Sequence, residues 1–431
     1  MMTKESKHCS FCGVEASASV PMIAGTEGFI CEACVLLASQ VVSSWGRKKE
    51  LNEMQGPLPK PAEIKALLDQ YVIGQDLAKE ILAVAVYNHY KRLKHESLKS
   101  GSLDPAEEEV EIGKSNILLI GPSGTGKTLL ASTLAKIVGV PFAVADATTL
   151  TQAGYVGDDV ENILVRLLDV ADGNVGKAEW GIVYLDEADK IARSPEQAFG
   201  TRDVSGEGVQ QALLRLVEGS QVKVPAKGRR KDGSNDAVTV DTRNILFIAG
   251  GAFPGLEKHV EKRLMPRKTE IGFHAEVQDA KQKPSLEALL NATQPDDLKR
   301  FGLIPEFIGR FPVLAPLEPL DVDALIQVLT EPKNALVKQY RQLFAFDEVE
   351  LEFTQDALVE IAEQAIARNT GARGLRAIME QVLRKTMFDL PSRESVARCI
   401  VTAEVIRGES GIQLIEREER DIADLQRSSA G

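Results

Sequence analysis

The 431-residue chain carries 51 basic and 63 acidic side chains, a formal charge of −12, and 44 % apolar residues. The length exceeds one compact core and the composition is that of a globular protein, so two or three domains are expected. The acidic balance disfavours nucleic acid as the main partner, no apolar run approaches the ~20 residues that span a bilayer, and no signal-peptide core opens the chain, so a cytoplasmic setting is expected.

Residues 1–50 hold four of the five cysteines. Cys9, Cys12, Cys31 and Cys34 form two CxxC knuckles at the spacing of a four-thiolate zinc site. Such a site has no open position and is structural, and a module this small needs the metal to fold. Five basic and five acidic residues balance over 1–50, which favours protein contact over DNA reading. A Pro-rich, charged linker is expected over 51–62.

A large α/β domain is expected over 63–315. Ile81–Tyr90 has the apolar face of a helix, and Glu96–Glu111 is polar enough to be a loop. Strands are expected at Asn116–Ile120, Phe142–Ala145, Gly181–Asp186 and Asn244–Ala249, with helices such as Asp158–Val170 and Gly208–Glu218 between them. That alternation predicts a mostly parallel sheet covered on both faces.

The first strand runs into Gly121, Pro122, Ser123, Gly124, Thr125, Gly126, Lys127 and Thr128, followed by a helix from Leu129. The pattern G-x-x-x-x-G-K-[ST] wraps backbone N–H groups around phosphates, with Lys127 adding charge and Thr128 a magnesium ligand. The helix start adds its dipole. At the end of the third strand, Asp186 can hold the magnesium and Glu187 can polarise the attacking water. Together these residues predict hydrolysis of ATP or GTP.

Other segments bear on what hydrolysis drives. Tyr155 and Val156 lie between Gly154 and Gly157, either as a mobile grip or as a tight turn over a buried Tyr. Ile271, Gly272 and Phe273 lie in a long aperiodic stretch, either anchoring a partner or tucked onto the protein's own surface. Arg310 and Arg373 are candidate phosphate sensors or simple surface arginines. A smaller, mainly helical domain is expected over 316–412, with helices at Asp321–Leu343, Thr354–Ala367 and Ala372–Met387. Short strands are expected at Val349–Phe353 and Cys399–Val405, Cys399 being a buried thiol. A disordered tail is expected over 413–431.

In order along the chain, the zinc quartet, Gly121–Thr128, Gly154–Gly157, Tyr184–Asp189, the run over 201–214, Ile271–Phe273, Gly302–Val313 and Gly371–Arg376 closely resemble the ClpX family of AAA+ unfoldases. The likeness runs from about Cys9 to about Ile406, and the related HslU unfoldases, which lack such a zinc module, match less well. The resemblance implies a homohexamer that binds ATP and Mg²⁺ between subunits, with Zn²⁺ in the N-terminal module. It implies that Arg310 reaches the neighbour's γ-phosphate, that Arg373 senses nucleotide from the small domain, and that Val72 and Ile73 lie by the adenine. Tyr155, Val156, Arg230 and Lys231 would contact substrate in the pore, and the loop around Ser194–Asp203 would form a second pore loop. Ile271, Gly272 and Phe273 would dock the ClpP peptidase, and the zinc module would dimerise and receive adaptors or substrates. Two departures stand out. The family's pore-entrance Arg-Lys-His reads Arg230-Lys231-Asp232 here, and Val14–Ala24 differs outside the cysteines. A nucleic-acid remodelling ATPase with a zinc finger is the rival reading, and the basic stripe it needs is not evident.

Overall fold

The computed structural model describes residues 8–17, 20–26, 28–38, 58–99, 110, 112–151, 158–193, 206–225, 237–265, 284–393 and 395–417. Met1–Pro57 and Leu58–Gly431 are separate compact units. In the first, β1 (Met22–Ala24) pairs antiparallel with β2 (Phe29–Cys31), and a helix, α1, covers 32–38. Its buried apolar side chains, among the described residues, are Cys9 and Cys31 alone.

The second unit opens with α2 (Pro61–Asp69), which starts inside the expected linker because Pro61 is pre-set for the first helical position. Helix α3 (Asp76–Lys99) buries Leu82, Val86, Tyr90 and Leu93, one stripe at helical spacing. It runs through Lys99, so Glu96–Lys99, expected as the start of a loop, is helical.

The central sheet contains β3 (Ile117–Ile120), β4 (Phe142–Asp146), β5 (Ile182–Asp186), β6 (Leu246–Gly251) and β7 (Val313–Pro316). Their spatial order is β7-β3-β6-β5-β4, with every pair parallel. All of β3 and β6 is buried, which explains their unbroken apolar runs: helices cover both faces. Helices α4 (Lys127–Val138), α5 (Asn162–Val170), α6 (Glu207–Glu218), α7 (Leu256–Leu264), α8 (Leu286–Asn291), α9 (Pro295–Phe301) and α10 (Pro305–Gly309) connect or flank the strands. The expected helix over Asp158–Val170 starts late because Asp158–Asp159 pairs with Leu150–Thr151 instead.

The smaller domain packs α11 (Val322–Thr330), α12 (Leu336–Phe346), α13 (Gln355–Ala367), α14 (Ala372–Asp389) and α15 (Ala403–Arg407) with β8 (Glu350–Phe353), β9 (Val396–Val401) and β10 (Gln413–Glu416). Its core joins Leu325, Phe344, Leu351, Ile361, Leu383, Cys399 and Val401. Three expectations change here. Asp321–Leu343 is two helices, since Pro332 cannot continue the first. The strand expected at Cys399–Val405 ends at Val401 and gives way to α15, which Gly408 caps in the left-handed conformation at φ 80°. Gln413–Glu416, expected in the disordered tail, is instead β10, paired antiparallel with β9.

Candidate nucleotide and metal sites

The phosphate loop leaves the C-terminal end of β3 and enters α4. Gly124 has φ 80°, and a Cβ there would lie 2.7 Å from the Thr370 carbonyl oxygen of the smaller domain. Both the left-handed backbone and this close approach call for glycine. Thr370 and Gly371 lead into α14, whose second residue is Arg373. The smaller domain therefore touches the phosphate loop directly, at the residue next to the arginine's helix.

Lys127 is buried, and its Nζ donates to the carbonyls of Gly121 at 2.7 Å and Pro122 at 2.8 Å. Burial lowers its pKa to about 8, and the Arg373 guanidinium pushes the same way against the pull of Asp186. The charged form still predominates near neutral pH, and a bound phosphate would favour it further. Thr125 closes the loop by donating Oγ1 to the Pro122 carbonyl at 2.9 Å.

Across the sheet, Thr128 donates Oγ1 to Asp186 Oδ2 at 3.3 Å. This pair of hard oxygen donors, next to the phosphate cradle, fits Mg²⁺. When bound, the ion supplies charge neutralisation on phosphate oxygens. Asp186 Oδ1 accepts from the Tyr184 hydroxyl at 3.3 Å and from the Glu187 amide at 3.0 Å, so one carboxylate oxygen is oriented while the other faces Thr128. Glu187 has φ 55°, uncommon for a residue with a side chain, and its carboxylate is exposed beside Asp186. The turn is pinned on both sides: Ala188 N–H donates to Gly250 O at 2.9 Å, and Ala252 N–H donates to buried Asp189 Oδ1 at 3.1 Å. An anchored turn that holds a carboxylate in solvent suits polarisation of an attacking water.

Val72 is buried and lies 3.9 Å from where a Gly126 Cβ would be, with half-buried Ile73 beside it. Their segment is clamped by Gln75, which donates Nε2 to Glu318 O and accepts from Glu318 N–H, both at 2.8 Å. Glu318 follows β7 on the way to the smaller domain. Leu129, in the first turn of α4, has its side chain exposed.

Arg310 stands apart. It caps α10, and its carbonyl accepts from Asn116 Nδ2 at 2.8 Å. Asn116 immediately precedes β3, whereas the phosphate loop follows it. Five residues of extended chain separate the two ends by roughly 16 Å. Arg310 is thus anchored at the opposite end of β3 from its own chain's phosphate loop.

Tyr155 and Val156, Arg230 and Lys231, the loop around Ser194–Asp203, and Ile271, Gly272 and Phe273 lie outside the described residues. Beside two of these segments, Leu150–Thr151 pairs with Asp158–Asp159, and Gln221–Pro225 with Ala237–Asp241.

In the N-terminal unit, the four cysteine sulfurs lie within 4.8 Å of one another, with Cys12 and Cys31 3.6 Å apart. Burial opposes ionisation of Cys9, yet the backbone N–H groups of Cys12, Cys31 and Phe11 outweigh it and hold the thiol down to about 6. Cys34 is pushed up to about 12, first by its contact with Cys12 and then by Cys31. Four crowded thiols resist joint ionisation unless a cation compensates them, and this donor set fits tetrahedral Zn²⁺.

The parallel sheet, the phosphate loop, the Asp186–Glu187 pair and the smaller domain touching the loop define a P-loop ATPase of the AAA class. Residues 113–314 match the family model of the AAA domain (Cdc48 subfamily), and residues 320–405 match the C-terminal, D2-small domain of ClpB protein. Residues 7–44 match the ClpX C4-type zinc finger. The chain is 66 % identical over 417 residues to "ATP-dependent Clp protease ATP-binding subunit ClpX 3" of Methylococcus capsulatus, covering 96 % of each chain. It is 57 % identical over 408 residues to "ATP-dependent Clp protease ATP-binding subunit ClpX" of Azotobacter vinelandii, covering 95 % of this chain and 91 % of that one. The chain belongs to the ClpX family.

Some residues that build the site act at long range. Gln75 holds both backbone groups of Glu318, and Asn116 donates to Arg310 O while accepting from Phe247 N–H. Tyr184 and Asp189, inside the Tyr184–Asp189 segment, orient Asp186 and pin the turn after it.

Proposed function

We propose that the chain is an ATP-driven protein unfoldase that works as a homohexamer and passes substrates to the ClpP peptidase. The observation that carries the assembly is the placement of Arg310. Held by Asn116 at the far end of β3, it cannot serve its own phosphate loop, so a neighbouring subunit's arginine completes each site. Within one chain, Lys127 binds phosphate, Thr128 and Asp186 hold magnesium, Glu187 orients the water, and Arg373 reports the nucleotide to the smaller domain. The close approach of Gly124 to Thr370 supports that last role, because a change at the phosphates bears directly on the start of α14.

Substrate handling rests on family resemblance. Tyr155, Val156, Arg230 and Lys231 would grip polypeptide along the pore, and Ile271, Gly272 and Phe273 would enter the peptidase's clefts. The relatives' names as subunits of the Clp protease support that partner. The zinc module would receive adaptors or substrates, and its exposed Phe11, Ile23, Leu36 and Leu37 suit protein contact.

The test is ATP-dependent loss of signal from a tagged, folded fluorescent protein, with and without ClpP. The expected result is unfolding that requires ATP, with degradation added by ClpP. Phe273→Ala should keep ATPase activity and lose degradation. Degradation unchanged in that variant removes the docking role, and ATP turnover without any unfolding removes the unfoldase reading.

A further inference from the structure

Helix α6 connects the water-activating turn to the arginine. Near its start, Gln210 is fully buried, donates Nε2 to Ile191 O at 2.7 Å and accepts from Ile304 N–H at 2.8 Å. Ile191 lies four residues beyond Glu187, and Ile304 is the N-cap of α10, the short helix that ends at Arg310. At the other end of α6, Glu218 Oε1 accepts from Arg310 Nε at 3.0 Å and pairs with Nη2 at 2.9 Å. Gln210 to Glu218 spans about 12 Å of helix. The strut therefore touches α10 twice, through backbone at its start and through the guanidinium at its end.

We propose that Glu218 is a positioning residue for Arg310. By holding the Nε edge of the guanidinium, it turns Nη1 outward for a neighbour's phosphate, and α6 ties that orientation to the Glu187 turn. Both partners are about half exposed, so the pair contributes little to folding stability. Its effect is instead on geometry, where a displacement of about 1 Å can cost on the order of a hundredfold in rate. The guanidinium makes no comparable contact through Nη1 among the described residues, and the Asn116 bond fixes only the backbone of Arg310. Without Glu218 the side chain would sample several rotamers, and the oriented fraction would fall.

The inference rests on Arg310 completing the neighbour's site, and the experiment separates the two ideas. Steady-state ATPase activity is measured on the full-length oligomer for Glu218→Gln, Arg310→Ala and the double variant, with oligomeric state and melting temperature as controls. Arg310→Ala should lower kcat on the order of a thousandfold. Glu218→Gln should lower kcat roughly tenfold, a partial loss of orientation, with KM for ATP, assembly and melting temperature unchanged. In the Arg310→Ala background, Glu218→Gln should add nothing further. A wild-type kcat in Glu218→Gln beside an inactive Arg310→Ala overturns the positioning role and leaves the finger intact. An equal fall caused by Glu218→Gln in both backgrounds shows that Glu218 acts elsewhere. A fully active Arg310→Ala overturns the finger and the positioning role together.

Discussion

In the N-terminal unit, two three-residue strands and a helix surround four sulfurs, and Phe11, Ile23, Leu36 and Leu37 face solvent. In the larger unit, β3 and β6 lie wholly inside and dozens of aliphatic side chains close over them. The first has almost no apolar burial to offset its chain entropy, so the metal must supply the difference. The second is stabilised by hydrophobic burial and can place its few polar groups for catalysis. One chain thus holds a module whose folding depends on a ligand and a machine whose folding does not.

The sharpest way to break that comparison is to remove the metal. Apparent zinc-binding energies in small four-ligand modules are about 10–16 kcal/mol near neutral pH. Chelation, or Cys12→Ser with Cys34→Ser, should therefore unfold residues 8–38, while thermal unfolding of the larger unit and its ATP turnover stay near wild type. Hydrogen exchange read separately over the two units checks this. A larger unit that melts with the metal would erase the distinction.

A smaller effect sharpens it from the other side. His89 is buried, with Nε2 3.0 Å from Asn244 O and no partner for Nδ1. Burial, aided by the nearby Arg92 and Lys114 charges, lowers its pKa to about 3. The unfolded histidine takes up a proton below about pH 6.5, while the folded one stays neutral until about 3, so stability is present above the unfolded value and is lost as pH falls. Between pH 7 and pH 5 the loss through this group is about 2 kcal/mol. Lys114, brought down to about 7 by burial, is charged in both states below that pH and adds little over this window. Denaturant unfolding of the larger unit should show this slope, and His89→Gln should flatten it. An unchanged slope in His89→Gln would place the acid sensitivity elsewhere.

What the sequence made legible follows from how local each interaction is. The phosphate loop, the Asp186–Glu187 pair and the cysteine quartet are fixed by spacing along the chain, because one turn or one strand end does the chemistry. The parallel sheet was readable for a related reason: strands buried on both faces are uninterrupted apolar runs. Contacts across long separations left no such mark. The Gln75 clamp on Glu318 and the Asn116 bond to Arg310 join residues 243 and 194 positions apart. Arg310 was recognisable as a candidate, yet its separation from its own chain's phosphate loop emerged only from its position at the start of β3. Two of the misread boundaries did carry local signals, Pro332 and Gly408, that periodicity alone passed over.

The most direct test of sites shared between subunits is complementation. Glu187→Gln subunits keep the arginine and lack the water-orienting carboxylate, whereas Arg310→Ala subunits keep the carboxylate and lack the arginine. Each should form rings with negligible ATP turnover. Mixing them should restore turnover, because an intact Glu187 then faces an intact Arg310 across some interfaces. Mixed rings that assemble and stay inactive would contradict the account.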